Sequence, residues 1–238
     1  MIRFSVLPSA VVALAAFRST EANRPILNAV HLAPDGTMTA TNGHILLTWR
    51  NAAKYDGEVL AVVSPEIAAA FGMADLPNTA STEGYVLEIS PAVLKLAKMR
   101  KCARLALAID GERATWNAVT DTGFFDDFAA VLARVLEGPY PKYRQVIPRT
   151  VPDVVGTLPA INAEYLGRFA LATGNLSSNG VTLTPTGSAR PVVVTFADNP
   201  DAFGLIMPVN KDGERAIPAW VHPATPANDT DTAETVAA

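Results

Sequence analysis

Cysteine and histidine are scarce in this sequence of 238 residues, which has one cysteine and three histidines. An internal disulfide needs two cysteines and a cysteine-based structural zinc site needs more than one, so a single cysteine, Cys102, excludes both. The histidines at 31, 44 and 222 are too scattered to suggest a metal site. We therefore expect no metal, no cofactor and a reducing, cytoplasmic location.

Long apolar runs are also lacking, since no stretch reaches the 18 or so residues that a membrane-spanning helix requires. The apolar residues 11–17 behind a short basic start do imitate a secretory signal. Against that interpretation, Ile2, Phe4 and Val6 alternate as in a strand, and residues 9–19 read as an amphipathic helix. The beginning of the chain therefore predicts a strand and a helix, and no membrane partner.

Enzymatic motifs are absent as well: there is no glycine-rich phosphate loop, no metalloprotease helix and no nucleophile elbow. Asp126 and Asp127 are adjacent, which favours an acidic loop over a catalytic pair. Cys102 sits in a predicted basic helix, which could lower the pKa of its thiol, but it has no partner base, and an inert thiol is the favoured interpretation. We predict that the protein is not an enzyme.

The composition that is present is globular, with 49% hydrophobic and 18% charged residues. A net charge of −4 and a pI near 5.4 exclude a wholly basic nucleic-acid binder. A local basic patch is not excluded, because phosphate binding depends on where the charges lie. A chain of this length forms one large domain or two small ones.

A unit of strand, helix and antiparallel strands recurs about three times along the chain. In the first copy, Asp35-Gly36 and Asn42-Gly43 predict hairpin turns. The predicted elements of this copy are the strand at the start, the helix over 9–19 and strands over 26–32, 37–41 and 45–49.

The second copy has two candidate beginnings, because a serine followed by proline predicts a helix cap at both Ser64 and Ser90. We favour Ser90. Residues 124–137 fit either a short helix or an irregular strand. The other predicted elements of the second copy are strands over 59–63, 85–89, 105–109 and 114–119 and a loop over 73–83. The third copy comprises a strand over 159–161, a helix over 163–173, strands over 181–184, 191–196 and 202–209, and a disordered tail from 217.

The segment 138–148 holds three prolines and two tyrosines, and proline prevents both a helix and a central strand from running through it. We predict an ordered, extended crossing segment, and one interpretation of it is an interdomain linker with aromatic anchors.

A cluster of basic residues lies within ten positions on the helix predicted to begin after Ser90. Spacings of three place Lys95, Lys98 and Lys101 on one helical face, which is either a solvated surface or a non-specific phosphate-binding surface. The candidate DNA-binding residues are this cluster and one arginine on each of the other two helices: Arg18, Lys95, Lys98, Arg100, Lys101, Arg104 and Arg168.

Four segments, 27–29, 40–44, 141–148 and 205–209, resemble in the correct order four segments of the bacterial sliding clamp, the ring-shaped beta subunit of DNA polymerase III. In that family they form the walls of a cleft that takes a short hydrophobic peptide motif. The resemblance implies the following peptide-binding residues: Leu27, Thr41, Gly43, His44, Leu46, Pro141, Val146, Leu205, Ile206, Met207, Pro208 and Val209. A cleft lined by leucine and methionine adapts to varied apolar side chains.

This chain also departs from the family. Ile45, Gln145 and Asn210 stand where the family usually has arginine, so the cationic rim of the cleft is expected to be missing. The resemblance covers the middle domain and about half of the last one, without the first. A monomer or weak dimer is therefore favoured over a closed ring.

The prediction is an α+β fold of DNA-clamp-like repeats: a middle-domain-like part over 1–148, a partial C-terminal-domain-like part over 149–215 and a tail over 216–238. Its expected function is that of a sliding-clamp-like replication accessory protein. Its expected partners are a DNA polymerase or other replication proteins, bound through a hydrophobic peptide motif, and non-specifically bound duplex DNA. The alternative is an interaction module that recruits or diverts replication proteins without encircling DNA.

Overall fold

The computed structural model describes residues 2–50, 53–54, 84–120, 125–148, 158–176, 180–187 and 189–209. The helices are α1 (Pro8–Ala15), α2 (Pro91–Ala97) and α3 (Ala163–Leu176), and a 3₁₀ turn covers Tyr143–Gln145. The strands are β1 (Ile2–Val6), β2 (Ala29–Leu32), β3 (Thr37–Thr41), β4 (Ile45–Arg50), β5 (Ala53–Lys54), β6 (Tyr85–Glu88), β7 (Arg104–Asp110), β8 (Arg113–Val119), β9 (Phe125–Leu136), β10 (Val181–Pro185), β11 (Val192–Phe196) and β12 (Asn199–Ile206).

These strands form one antiparallel sheet in the order β10-β11-β12-β4-β3-β2-β6-β9-β8-β7-β1-β5. The pairing of β12 with β4, with Leu205 opposite Leu46, joins the C-terminal part of the sheet to the N-terminal part. The helix α1 packs against both α2 and α3. A large antiparallel sheet with separate helices is an α+β architecture, as predicted from the sequence.

The main core lies between the sheet and the helices, and its largest fully buried side chains include Phe17, Trp116 and Phe169. A second, smaller apolar cluster contains Leu46, Tyr143, Val193 and Leu205. Leu46 and Leu205 face each other across neighbouring strands, while Tyr143 comes from the 3₁₀ turn. The proline-rich segment therefore packs on the sheet through this second cluster.

The hairpin turn at Gly43, the turn at Gly111 and the helix cap at Ser90 are formed as the sequence predicts. Gly43 and Gly111 adopt φ angles of 93° and 55° in the turns that follow β3 and β7, a conformation that glycine adopts without strain. The Ser90 hydroxyl accepts a hydrogen bond of 3.3 Å from the Val93 amide and caps α2, and Pro91 occupies the first turn.

Several boundaries differ from the predictions. Residues 125–136 form a strand that pairs with β8 and β6, so β9 connects two parts of the sheet and the helical alternative is wrong. The first helix ends at Ala15 rather than at 19, and the strand expected from 26 begins only at Ala29, after a turn. Residues 159–161 form no strand.

The helix predicted to carry the basic cluster is shorter than expected. It ends at Ala97 with Lys98 as its C-cap, and the chain then turns, with the Cys102 amide donating to the Met99 carbonyl oxygen at 3.0 Å, before β7 begins. Lys101 therefore does not lie on a helical face with Lys95.

Other predictions fall outside the described residues: the strand over 59–63, the cap at Ser64, the loop over 73–83, Asn210 and the tail from 217. The domain boundary at 148 remains a prediction. Among the residues that are described, no helix has both the length and the apolar character needed to cross a bilayer.

Candidate functional site

A cavity of about 300 Å³ lies where the proline-rich segment passes beside the β3–β4 turn and the end of β12. We call it the cleft. Its lining residues are Leu27, Thr41, Gly43, His44, Ile45, Leu46, Pro141, Lys142, Tyr143, Gln145, Val146, Leu205 and Met207.

The β3–β4 turn that forms one wall is fixed by its own short polar side chains. The Thr41 hydroxyl donates to the Ile45 carbonyl oxygen at 2.6 Å and accepts from the Gly43 amide at 3.0 Å. The Asn42 side-chain oxygen accepts from the amides of His44 and Ile45 at 2.9 and 3.0 Å. Asparagine and threonine commonly bond their own turn in this way, so this wall is held before any ligand arrives.

The floor of the cleft is apolar. Leu46 and Leu205 are directly opposite in the β4–β12 ladder, and both are buried. The Met207 amide donates to the His44 carbonyl oxygen at 2.8 Å, which continues the pairing past the end of β12 and keeps Met207 at the floor. Val146, across the cleft, is 48% exposed. A half-exposed valine over a buried leucine pair offers apolar area for a ligand to cover.

The proline-rich segment is anchored by aromatic contacts. The rings of Tyr140 and His31 stack with centroids 5.0 Å apart, and Tyr143 meets both rings edge-on. The Tyr140 hydroxyl donates to the Thr39 carbonyl oxygen at 3.4 Å, and burial raises the pKa of that hydroxyl above its ordinary range. The segment is therefore an ordered crossing segment, although it bends through a 3₁₀ turn rather than staying extended.

The structure brings nine of the twelve predicted peptide-binding residues to the cleft and leaves three outside it: Ile206, Pro208 and Val209. Ile206 is fully buried in the main core, because neighbouring residues of a strand point to opposite faces and Leu205 takes the cleft side. The Val209 amide donates to the Ala160 carbonyl oxygen at 2.9 Å.

Of the thirteen lining residues, four were not among the predicted peptide-binding residues, and one of these four carries a positive charge: Ile45, Lys142, Tyr143 and Gln145. Lys142 lines the cleft directly. A β-carbon built on Gly43 would lie 3.8 Å from Nη1 of Arg24, so that guanidinium borders the cleft at the opposite wall. Arg24 is itself paired with Glu21 at 3.0 Å, so Lys142, rather than Arg24, supplies a positive charge to a cleft that has no arginine at 45 or 145. Lys142 lies within the resembling segment 141–148 and could have been recognised there.

Four residues of the basic cluster are exposed, and the fifth is bonded within the fold. Lys95, Lys98, Arg100 and Lys101 are exposed, and none of them forms a salt bridge within the described ranges. Arg104 lies instead on β7, where its Nε donates to the Ser5 hydroxyl at 2.6 Å.

Arg18, which lies three residues after the end of α1, and Arg168, on α3, both stabilise the fold. Arg18 donates to the carbonyl oxygens of Ile89 and Asn28 at 2.6 and 3.1 Å, and burial lowers its pKa. Arg168 donates to the Ala16 carbonyl oxygen at 3.2 Å and pairs with Glu164 at 2.9 Å. These two side chains hold adjacent segments together and do not extend the exposed basic cluster.

Nor does the outward side of α3 carry free cations in the described part of the chain. Its exposed residues include Leu166, Gly167, Ala170 and Leu171, which are apolar or small. A continuous basic surface across all three helices is therefore not formed, and the exposed cations are concentrated at the end of α2.

The remaining candidates for chemistry lie apart from the cleft. Burial raises the pKa of the Cys102 thiol, which donates to the Arg104 carbonyl oxygen at 3.2 Å, so the suggested lowering by nearby basic residues is wrong. Asp126 and Asp127 belong to β9, not to a loop. Within the described ranges, no cluster of histidine, cysteine and carboxylate side chains is arranged to hold a metal ion.

The solved structures to which this protein is similar share one fold. No protein-family model matches the chain, and no curated protein matches its sequence. The structure is similar to the sliding clamp of Bacillus subtilis (TM-score 0.58, 15% identity, 88% of this chain and 64% of that one). It is also similar to the beta subunit of Streptococcus pyogenes DNA polymerase (0.59, 15%, 86% and 64%) and to the Bartonella birtlesii clamp bound to griselimycin (0.56, 16%, 88% and 66%).

The chain thus has the fold of the bacterial sliding clamps, which confirms the resemblance at the level of fold. It spans slightly less than two thirds of the length of these proteins.

Proposed function

We propose that this protein is a sliding-clamp-like replication accessory protein whose cleft binds a hydrophobic peptide motif of a DNA polymerase or another replication protein. The observation that carries the proposal is the cleft itself. Residues from four separate parts of the chain converge on one apolar cavity, at the position where the sequence resembles a peptide-binding wall.

The occupant follows from the lining. The buried leucines on the floor and the half-buried Met207 suit one or two large apolar side chains, and methionine adapts to differing shapes. The turn at Asn42 and Gly43 is held internally, so little ordering entropy is lost there on binding. Lys142, which lines the cleft, favours a peptide without positive charge next to its apolar residues.

Truncation of the floor tests this function. Met207→Ala and Leu46→Ala are each expected to weaken binding of a peptide that carries a hydrophobic clamp-binding motif by at least about tenfold, because a desolvated anchor contact is worth roughly 2 kcal/mol or more. Isothermal calorimetry measures the affinities. The same peptide with serine in place of its apolar motif residues should not bind.

Leu132→Ala is the matched control, since Leu132 is 60% exposed on β9 and lies outside the cleft. It should leave the affinity unchanged, and circular dichroism should show that all three variants remain folded. Equal affinity of the folded cleft variants and the parent protein would refute the proposal.

A second candidate activity is non-specific binding of duplex DNA, favoured by the four exposed cations at the end of α2 that form no salt bridge among the described residues. Each phosphate neutralised contributes about −0.9 to the slope of log affinity against log salt. Replacing Lys95, Lys98 and Lys101 by alanine should therefore flatten that slope by about 2.7 if each lysine contacts a phosphate.

The control for this experiment removes three exposed arginines elsewhere, at 50, 113 and 190, so that the change in net charge is the same. It should leave the slope nearly unchanged. Comparing nicked circular DNA with linear DNA distinguishes a protein that encircles the duplex from one that binds only its surface. An encircling protein stays on the circle but slides off the ends of linear DNA, whereas a surface binder is retained equally on both. If DNA binding does not depend on salt concentration, the three lysines do not bind phosphates and form an ordinary solvated surface.

A further inference from the structure

A second cavity, of about 610 Å³, adjoins the cleft on the proline-rich segment. We call it the flanking cavity. It is lined by the β2–β3 turn on one side and the proline-rich segment on the other: His31, Ala33, Pro34, Asp35, Pro139, Tyr140, Pro141, Lys142, Tyr143, Arg144 and Gln145.

The two cavities share one wall. Pro141, Lys142, Tyr143 and Gln145 line both of them, whereas Arg144 and Asp35 line only the flanking cavity. Tyr143 is buried between the cavities and belongs to the apolar cluster under the cleft. An extended chain that leaves the cleft over the 3₁₀ turn therefore enters the flanking cavity without crossing another element of the described structure.

The charges that line the flanking cavity are unbalanced in favour of cations. Arg144 and Lys142 are both exposed, and Asp35 is the one carboxylate among the lining residues. Asp35 pairs with Arg144 at 2.8 Å, and Lys142 forms no salt bridge within the described ranges. An exposed pair of this kind is weak enough to exchange one carboxylate for another.

A buried hydroxyl adds a further donor beside these cations. The Tyr143 hydroxyl has no hydrogen-bond partner of good geometry among the described residues, which is uncommon for a buried polar atom. It lies close enough to the Arg144 guanidinium to raise the pKa of that group, and Asp35 contributes in the same direction. Proline side chains at 34, 139 and 141 supply apolar walls around this polar group.

We propose that the flanking cavity binds an acidic continuation of the peptide whose apolar motif fills the cleft, with Arg144 and Lys142 facing its carboxylates. The proposal rests on the proposed function of the cleft and specifies its ligand as an apolar motif followed or preceded by acidic residues. On binding, a peptide carboxylate takes the place of Asp35 beside Arg144. Specificity then depends on both cavities, with the cleft selecting apolar side chains and the flanking cavity selecting charge.

The test compares peptides that share one apolar motif and carry three added residues, either aspartate, serine or lysine, at one end or the other. At low salt, the aspartate extension at one of the two ends is expected to bind about three- to tenfold more tightly than the serine extension. Arg144→Ala should remove this gain, and Asp35→Ala should increase it because the guanidinium is freed. Each affinity is measured by calorimetry at two salt concentrations.

Arg50→Ala is the matched control. Arg50 is also an exposed arginine in an ion pair of 2.8 Å, with Asp201, but it lines neither cavity. It should preserve the gain from the aspartate extension. If the motif binds and the extension adds nothing, or adds equally in Arg144→Ala, the inference is wrong while the proposed function stands. If the unextended motif fails to bind the parent protein, the proposed function fails and the inference fails with it.

Discussion

Replacing Phe169 by alanine is expected to lower the free energy of unfolding by about 3–5 kcal/mol, the usual cost of removing a fully buried phenylalanine. Phe169 meets Phe17 edge-on with ring centroids 4.7 Å apart and lies 6.4 Å from the ring of Phe196. Its ring also covers the position that a β-carbon on Gly204 would occupy. This one side chain therefore connects α3 to the turn after α1 and to β11 and β12. Urea unfolding followed by circular dichroism measures the change.

Leu171→Ala is the control on the same helix, because Leu171 is 71% exposed. Its effect should stay within about 0.5 kcal/mol, as for most surface substitutions. The consequence for the site is direct, since α3 also carries Tyr165, whose ring stacks on His44 of the cleft at 5.4 Å. Equal unfolding energies for the two variants would show that α3 is not docked on the sheet through Phe169.

Features that depend on a few adjacent residues were predictable. The turn at Gly43 follows from an asparagine–glycine pair, whose side chain and φ angle select one hairpin geometry. The cap at Ser90 follows equally from a hydroxyl within reach of a free amide. In both cases the two bonded residues are at most three positions apart, so the local sequence alone determines the structure.

Features that depend on distant partners were not predictable. Residues 125–136 become a strand because β8 and β6 lie on either side of them, and their own periodicity does not distinguish strand from helix. The helix that carries Lys95 ends early because the chain must turn to enter β7 beside β1. Such boundaries are set by the sheet, which overrides local propensity.

The same distinction applies to the site. The resemblance of four segments located the cleft, but it could not tell that Ile206 faces the main core while Leu205 faces the cleft. For the basic residues, the sequence supplies a charge but not its partners. Arg18 and Arg168 look like candidates for phosphate binding until their guanidinium groups are seen bonded to carbonyl oxygens of neighbouring segments.

Replacing Gly84 by alanine is expected to lower the free energy of unfolding by at least about 3 kcal/mol, since strain in the backbone and steric overlap act together. Gly84 adopts a φ angle of 89° immediately before β6. A β-carbon there would overlap the Leu32 carbonyl oxygen and lie 2.9 Å from Nε2 of His31 and 3.0 Å from Cα of Ala33. Leu32 is held in the ladder opposite Tyr85, so this backbone cannot move away without breaking the pairing of β2 with β6.

Gly111→Ala separates the two causes. Gly111 also has a positive φ angle, of 55°, but a β-carbon there would meet nothing within 4 Å, so only the conformational cost of about 1 kcal/mol applies. Urea unfolding of both variants gives the difference. A loss at Gly84 no larger than the loss at Gly111 would refute the steric argument. Because His31 stacks on Tyr140, the Gly84 variant should also weaken the gain from an acidic peptide extension, whereas the Gly111 variant should preserve it.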